Sequence, residues 1–149
     1  GLHQGGAGSF LNMHTDFNYH PLKEDWARSL NILIYLNPEW KSEYGGELKL
    51  RHKFTGDTYE IAPILNRCVI MFTRDYTLHG YDEISFPLNM YRRSIAAYAY
   101  THCNAQDRNI SSTTWYPEGS GFTKSLLGRY WPKLVRIKNH LLGSSTSKN

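Results

Sequence analysis

Along most of the chain, apolar and polar residues alternate in short runs that are separated by turn residues. Residues 9–17 follow the two-residue period of a β-strand, which places four side chains on one face: Phe10, Asn12, His14 and Asp16. Further runs have the composition of strands at residues 29–37, 47–52, 58–63, 67–73, 77–84 and 91–101. Short strands at this spacing, with glycine and proline in the connections, predict an all-β sandwich or barrel.

Two segments depart from the strand pattern. Residues 18–28 are polar and contain Pro21, so we predict a loop there. In the C-terminal part, apolar residues recur every three or four positions, as on one face of an α-helix: Phe122, Leu126, Tyr130, Leu134, Ile137 and Leu141. We predict a helix, kinked or started by Pro132, that packs on the outside of the β domain, with a membrane-surface or partner-binding helix as the alternative.

The basic character of the chain belongs to this C-terminal part. The formal net charge is +4, yet residues 120–149 contain six Lys and Arg residues and no acidic one. The preceding 119 residues carry 11 basic and 13 acidic side chains, so they form no basic groove and no nucleic-acid partner is expected. We therefore predict a β core at residues 1–103 and a C-terminal extension at 104–149, which together make one domain.

The size and the cysteine content set the broad class. A chain of 149 residues is the size of one domain, and no apolar run approaches the roughly 18 residues of a membrane-spanning helix. The two cysteines do not form a metal-type spacing or a disulfide framework. We interpret Cys68 and Cys103 as free thiols of a cytoplasmic protein, with Cys68 in a strand core. The sequence leaves the oligomeric state open.

A histidine and an aspartate stand two residues apart in the first strand. His14 and Asp16 project to the same side, about 6.6 Å apart along the strand, so they could occupy neighbouring positions on one metal ion. His79, which follows a strand and precedes a glycine, is the best third ligand. Two imidazoles and one carboxylate are typical of non-haem Fe(II), since they leave positions open for a co-substrate and O₂. Weaker candidates for the third ligand are His20, His52 and His102.

A second cluster lies thirteen residues after His79. Arg92 and Ser94 share one face of an apolar strand, whereas Arg93 faces the other way. A guanidinium beside a hydroxyl on an apolar wall is suited to a carboxylate, because arginine can bind it through two parallel hydrogen bonds. The alternative is that both arginines face solvent at the start of a strand.

Taken in order, His14-x-Asp16, His79 and Arg92-x-Ser94 resemble the Fe(II)- and 2-oxoglutarate-dependent dioxygenases, with residues 3–101 most similar to the prolyl-4-hydroxylase-like branch. The resemblance rests also on "LNILIYLNPEWKSEYGGELKL" and "RRSIAAYAYT". It implies a mainly β fold, a double-stranded β-helix (jelly roll, cupin-like), followed here by the C-terminal helix. It further implies the cofactor Fe(II), the co-substrates 2-oxoglutarate and O₂, and ascorbate as a candidate reductant.

The same resemblance assigns roles to individual residues. His14, Asp16 and His79 would bind iron, and Arg92 and Tyr35 would bind the far carboxylate of 2-oxoglutarate with help from Ser94. Lining positions in the cavity are implied for Tyr98, Gln4 and Leu33.

The substrate implied by the resemblance is a prolyl residue in a peptide or protein, which would be hydroxylated with succinate and CO₂ as coproducts. A free amino acid or other small molecule is the first alternative, and a metal-binding jelly roll without turnover is the second. Nucleic-acid demethylases of the superfamily carry a second arginine six residues after the co-substrate arginine, where this chain has Tyr98. That difference disfavours a nucleic-acid substrate.

Overall fold

Regular structure in the computed structural model, which describes residues 1–16, 19–20, 22–104 and 114–116, consists almost entirely of β-strands. A short 3₁₀ helix at Ser42–Tyr44 is the exception. In chain order the strands are β1 (Leu2–Gly5), β2 (Leu11–Thr15), β3 (Tyr19–His20), β4 (Lys23–Tyr35), β5 (Leu48–His52), β6 (Thr58–Ile61), β7 (Cys68–Phe72), β8 (Thr77–Tyr81), β9 (Arg92–His102) and β10 (Thr114–Tyr116).

The strands form two five-stranded sheets, and the chain crosses repeatedly from one to the other. The first sheet has the order β1-β9-β4-β3, with β7 also paired to β4. The second sheet has the order β10-β2-β8-β5-β6. Every strand pair is antiparallel, and the long strands β4 and β9 form the most extensive pairing. This topology confirms the predicted mainly β double-stranded β-helix.

The core lies between the two sheets. Leu33, Tyr35, Val69 and Ala96 from the first sheet pack with Leu48 from the second. Tyr35 has no solvent-exposed surface, so its ring contributes its full apolar area to the core. Along the inward face of β4, Asn31 and Leu33 therefore reach a cavity, whereas Tyr35 lies in the core.

The predicted loop at residues 18–28 is wrong for most of its length, because β4 begins at Lys23. Its N-terminal half pairs with the end of β9, with Trp26 opposite His102 and Arg28 opposite Tyr100. A partner strand supplies backbone hydrogen bonds whatever the side-chain composition, so pairing overrides the polar character of this segment. The first predicted strand is also shorter than expected, since β2 ends at Thr15.

The strands predicted as buried have only one buried face. In β7, Val69 and Met71 point inward, whereas Cys68, Ile70 and Phe72 are exposed on the outer side of the first sheet. Cys68 is therefore an exposed free thiol, and its predicted place in the core is wrong. The cause is the two-residue period of the strand, which sends alternate apolar side chains to opposite faces.

The predicted C-terminal helix lies outside the described residues, as does most of the extension 104–149. Thr114–Tyr116 within that extension forms β10, which pairs with β2 and adds an edge strand to the second sheet. No helix in the part of the chain that the structure describes is long and apolar enough to span a membrane.

Candidate metal centre

Two histidines face each other across neighbouring strands of the second sheet. His14 of β2 lies directly opposite His79 of β8 in the antiparallel register, and their ring centroids are 4.1 Å apart. Both side chains are buried. The register shifts between Leu11 and His14, as at a β-bulge, and the irregularity lies next to the pair. Residues that are 65 positions apart in sequence are thus brought into contact by strand pairing.

Asp16 completes the cluster from the chain just after β2. Its Oδ1 lies 3.6 Å from Nε2 of His14, and its Oδ2 lies 3.6 Å from Nε2 of His79. One ligand atom from each of the three residues lies within 4.8 Å of the others. Metal–ligand bonds of about 2.1 Å bring two adjacent ligands of an octahedral ion about 3 Å apart, so small side-chain movements suffice for all three residues to bind one ion.

The orientation of His14 and the pKa of His79 suit metal binding. Nδ1 of His14 lies 2.9 Å from the carbonyl oxygen of Asn12. A carbonyl can only accept a hydrogen bond, so Nδ1 donates it and Nε2 is the ring nitrogen that faces Asp16. Burial, followed by the nearby charge of His14, lowers the pKa of His79 to about 4. His79 is therefore a neutral imidazole at pH 7, as a metal ligand must be.

The remaining candidate ligands lie elsewhere. The ring of His20 packs against Tyr100 with centroids 4.9 Å apart. His52 is hydrogen-bonded to Thr55 at the β5–β6 hairpin, and Nε2 of His102 lies 3.0 Å from a carboxylate oxygen of Asp25. Among the described residues, only His14, Asp16 and His79 form a group with metal-ligand geometry.

Arg92 is a buried cation, with 7% of its surface exposed. Its Nε donates a 2.7 Å hydrogen bond to the carbonyl oxygen of Gly46, and its Nη2 donates a 3.2 Å hydrogen bond to the hydroxyl of Tyr35. The guanidinium also lies over the ring of Tyr81, 4.1 Å from the centroid. These contacts fix the guanidinium plane, so the alternative that both arginines face solvent fails for Arg92.

The second glycine of the pair before β5 is explained by this arginine. Gly46 has φ of +82°, and a Cβ added to it would lie 2.8 Å from a methyl carbon of Ile84 and 3.1 Å from Cδ of Arg92. A larger residue would be strained in its backbone and would displace the arginine. The glycine in the "GGELKL" stretch therefore lets the backbone approach Arg92 closely enough to accept its hydrogen bond.

Tyr35 and Ser94 stand beside Arg92 on the same inner surface. They lie opposite each other in the β4–β9 register, and both are almost fully buried. Burial raises the pKa of Tyr35, an effect that the charge and hydrogen bond of Arg92 only partly oppose. The hydroxyl therefore keeps its proton at neutral pH, and it can donate that proton to an anion while it accepts from Arg92.

A cavity of about 280 Å³ joins the histidine cluster to the arginine. Its volume lies just below the roughly 300–1,000 Å³ that is typical of small-molecule sites. The wall includes His14, Asp16, His79, Arg92, Ser94 and Tyr98. Leu33 and Gln4 also contribute to the wall, although the side-chain oxygen of Gln4 accepts a hydrogen bond from Arg93. Tyr35 is in contact with Arg92 rather than part of the cavity wall.

Sequence reasoning missed several residues in or beside this cavity, among them Tyr81, Asn31 and Arg28. Tyr81 lies two positions after His79 on the same strand, and Asn31 lies two positions before Leu33, so the strand period could have identified both. Arg28 gave no such signal, because it belongs to the segment that was predicted to be a loop. Its Nη1 lies 3.3 Å from Oδ2 of Asp16.

A family model described as "2OG-Fe(II) oxygenase superfamily" matches residues 1–100. The chain belongs to that superfamily. The His-Asp-His cluster and the buried arginine of this structure are among the features on which the sequence resemblance rested, and the predicted superfamily is confirmed. A comparison with curated proteins finds no match.

Solved structures of prolyl hydroxylases have a similar fold. A Pseudomonas putida prolyl-4-hydroxylase gives a TM-score of 0.51 at 20% identity, over 65% of this chain and 45% of that one. A Trichoplax adhaerens prolyl hydroxylase, in complex with a peptide fragment of the hypoxia inducible factor oxygen degradation domain, gives 0.53 at 24%, over 74% and 46%. A prolyl 4-hydroxylase from Phytophthora capsici gives 0.51 at 24%, over 92% and 41%. The chain thus spans less than half the length of these relatives, and the likeness establishes the fold.

Proposed function

We propose that this superfamily member is an Fe(II)- and 2-oxoglutarate-dependent dioxygenase that hydroxylates a prolyl residue of a peptide or protein. The observation that carries the proposal is the arrangement of one cavity, with a His-Asp-His donor set at one end and a buried arginine at the other. When bound, Fe(II) with 2-oxoglutarate and O₂ supplies the oxidising chemistry, with succinate and CO₂ as coproducts.

In this proposal the metal ligands are His14, Asp16 and His79. The donor set fits Fe(II), because two neutral nitrogens and one carboxylate bind it without closing the coordination sphere. Zinc sites more often close a tetrahedron with cysteine or a third histidine, and the described part of the chain brings no such residue to the cluster.

Arg92 and Tyr35 bind the far carboxylate of 2-oxoglutarate, with Ser94 beside them. The guanidinium offers a charge-assisted contact in a site from which water is largely excluded, so its attraction for a carboxylate is stronger than at the surface. Leu33, Gln4 and Tyr98 line the cavity. Ascorbate as a reductant and a cytoplasmic location remain predictions from the sequence.

A peptide substrate is favoured by the fold, since a Trichoplax prolyl hydroxylase of the same fold is in complex with a peptide. A free amino acid or other small molecule on the same scaffold is the alternative, and a metal-binding module without turnover is a second one. The first two functions require 2-oxoglutarate and differ in the substrate that is hydroxylated, whereas the third involves no reaction.

Anaerobic addition of Fe(II) and 2-oxoglutarate to the full chain tests the site. We expect a weak visible charge-transfer band with one metal per chain, and no band from a His79→Ala variant of the same stability. A metal-binding module without a co-substrate site would give no band.

Exposure to O₂ with proline-containing peptides should then release succinate and add 16 Da to the peptide, whereas peptides with alanine at that position should not be modified. Modification of free amino acids alone would favour the small-molecule alternative.

A further inference from the structure

Arg28 is a mostly buried arginine beside the His-Asp-His cluster, and no part of the proposed co-substrate site uses it. Its side chain is only 14% exposed, and Nη1 lies 3.3 Å from Oδ2 of Asp16. The guanidinium lies over the ring of Tyr98, with Cζ 3.8 Å from the ring centroid. The side chain thus contacts both an aromatic ring and the carboxylate of Asp16.

A local irregularity in β4 places Arg28 on this face. The β4–β9 register shifts between Arg28 and Leu30, because Arg28 lies opposite Tyr100 while Leu30 lies opposite the adjacent Ala99. Ser29 is therefore an extra residue, as in a β-bulge. In a regular strand Arg28 and Asn31 would face opposite ways, whereas the extra residue turns both toward the cavity. Such bulges often redirect a side chain near a functional site.

A purely structural ion pair does not account for the energetics of Arg28. Its Nε is buried and has no hydrogen-bond partner among the described residues. Leaving a buried donor unsatisfied costs about 1–3 kcal/mol, and burying an ion pair brings little net stability. The burial of this guanidinium is more simply explained by a role in orienting the carboxylate of Asp16.

We propose that Arg28 is the positioning residue of the metal centre, which holds Oδ2 of Asp16 so that a single oxygen, Oδ1, is directed to the metal. The inference rests on the proposed function. Two imidazoles and one carboxylate oxygen occupy three of six positions, which leaves three for a chelating 2-oxo acid and O₂. A carboxylate bound through both oxygens would take one of these. Tyr98 in turn holds Arg28 in place.

The test compares metal binding by the full chain and by Arg28→Met, using Co(II) as a spectroscopic substitute for Fe(II). We expect Arg28→Met to bind Co(II) about 10–100-fold more weakly, which is the usual effect of removing the partner that orients a metal ligand. The d–d spectrum should also change, and Arg28→Lys should restore part of the affinity. Arg74→Met is the matched control, because Arg74 also lies against an aromatic ring, that of Phe72, away from the cavity. Its affinity and spectrum should equal those of the unmodified chain.

Unchanged Co(II) affinity and spectrum in Arg28→Met would overturn the inference, even if turnover fell, since the arginine would then act on the substrate. If Arg28→Met does not fold, Arg28→Lys and Tyr98→Leu take its place. Either should change the Co(II) spectrum, and wild-type spectra for both would overturn the inference. Failure of the proposed function would look different, because the unmodified chain itself would bind no Co(II), or would bind it equally well with His79→Ala.

Discussion

The arginine pair at the start of β9 allows the co-substrate assignment to be tested with a built-in control. Arg92 and Arg93 are adjacent, but the strand sends Arg92 into the cavity and Arg93 to the outer face. Arg93 donates to the side chain of Gln4 there. Arg92→Met and Arg93→Met therefore each remove one positive charge from adjacent positions in the sequence. The first removes it from the cavity face of the sheet, and the second removes it from the outer face.

The size of the expected effect follows from the contacts of Arg92. A hydrogen bond to a charged group contributes about 1.5–3 kcal/mol, so the loss of two from arginine to a carboxylate would cost about 3–6 kcal/mol. Each 1.4 kcal/mol is a tenfold change in affinity. Tyr35 remains able to donate, so we expect the lower part of this range, a weakening of 2-oxoglutarate binding by about 10²–10³-fold.

Arg92→Met should also lose some stability, because the carbonyl of Gly46 and the hydroxyl of Tyr35 would no longer accept hydrogen bonds from the guanidinium. We expect about 1–3 kcal/mol from unsatisfied buried groups, which urea unfolding of the metal-free protein can measure. Binding is then followed by anaerobic titration of the Fe(II)-loaded protein with 2-oxoglutarate through its visible band. Because the proposed Fe(II) ligands lie at the other end of the cavity, metal affinity should change by less than about threefold.

Arg93→Met should keep 2-oxoglutarate affinity within about threefold of the unmodified chain, since its side chain is exposed and its contact lies at the surface. The reasoning would be refuted if Arg93→Met weakened 2-oxoglutarate binding while Arg92→Met did not. Equal affinities in both variants would show that the buried arginine does not bind the co-substrate.

Three further predictions concern the rest of the site and its support. Burial lowers the pKa of His79 to about 4 from 6.5, so in metal-free protein its contribution to stability is complete above pH 6.5 and is lost as the pH falls toward 4. The loss should be about 3 kcal/mol at 1.36 kcal/mol per pKa unit, and urea unfolding of His79→Gln should show a shallower decline over that interval. Gly46→Ala should be destabilised by about 1–3 kcal/mol because of its positive φ and the contact with Ile84, and it should bind 2-oxoglutarate more weakly; wild-type melting and titration curves would contradict this. Asn37→Ala should lose about 2–4 kcal/mol in urea unfolding, since the buried amide satisfies one backbone carbonyl and one backbone N–H, and a loss below 1 kcal/mol would show that water replaces both bonds.

Local patterns in the sequence were sufficient to predict a structural feature wherever that feature depends on neighbouring residues alone. The hairpin of β5 and β6 could be predicted because alternation and the Thr55-Gly56-Asp57 turn agree. The direction of Arg92 relative to Arg93 followed from the two-residue period alone. Two candidate metal ligands could likewise be proposed from their spacing, since His14 and Asp16 are neighbours on one stretch of chain.

Where the pairing of strands decides the structure, the sequence pattern led to a wrong prediction or to none. The polar segment before Arg28 is a strand because β3 and the end of β9 both pair with it. Cys68 is exposed because nothing in the described chain covers the outer face of β7, a fact that composition cannot convey.

By itself, the sequence determined the period of each strand, the chemical groups available for a metal and an anion, and the superfamily whose motifs they match. Only the tertiary structure decided that His79 lies directly opposite His14, that Gly46 leaves room for Arg92, and that a bulge turns Arg28 toward Asp16. The physical reason is that strand period is a property of consecutive residues, whereas register and bulges depend on hydrogen bonds between residues that are distant along the chain.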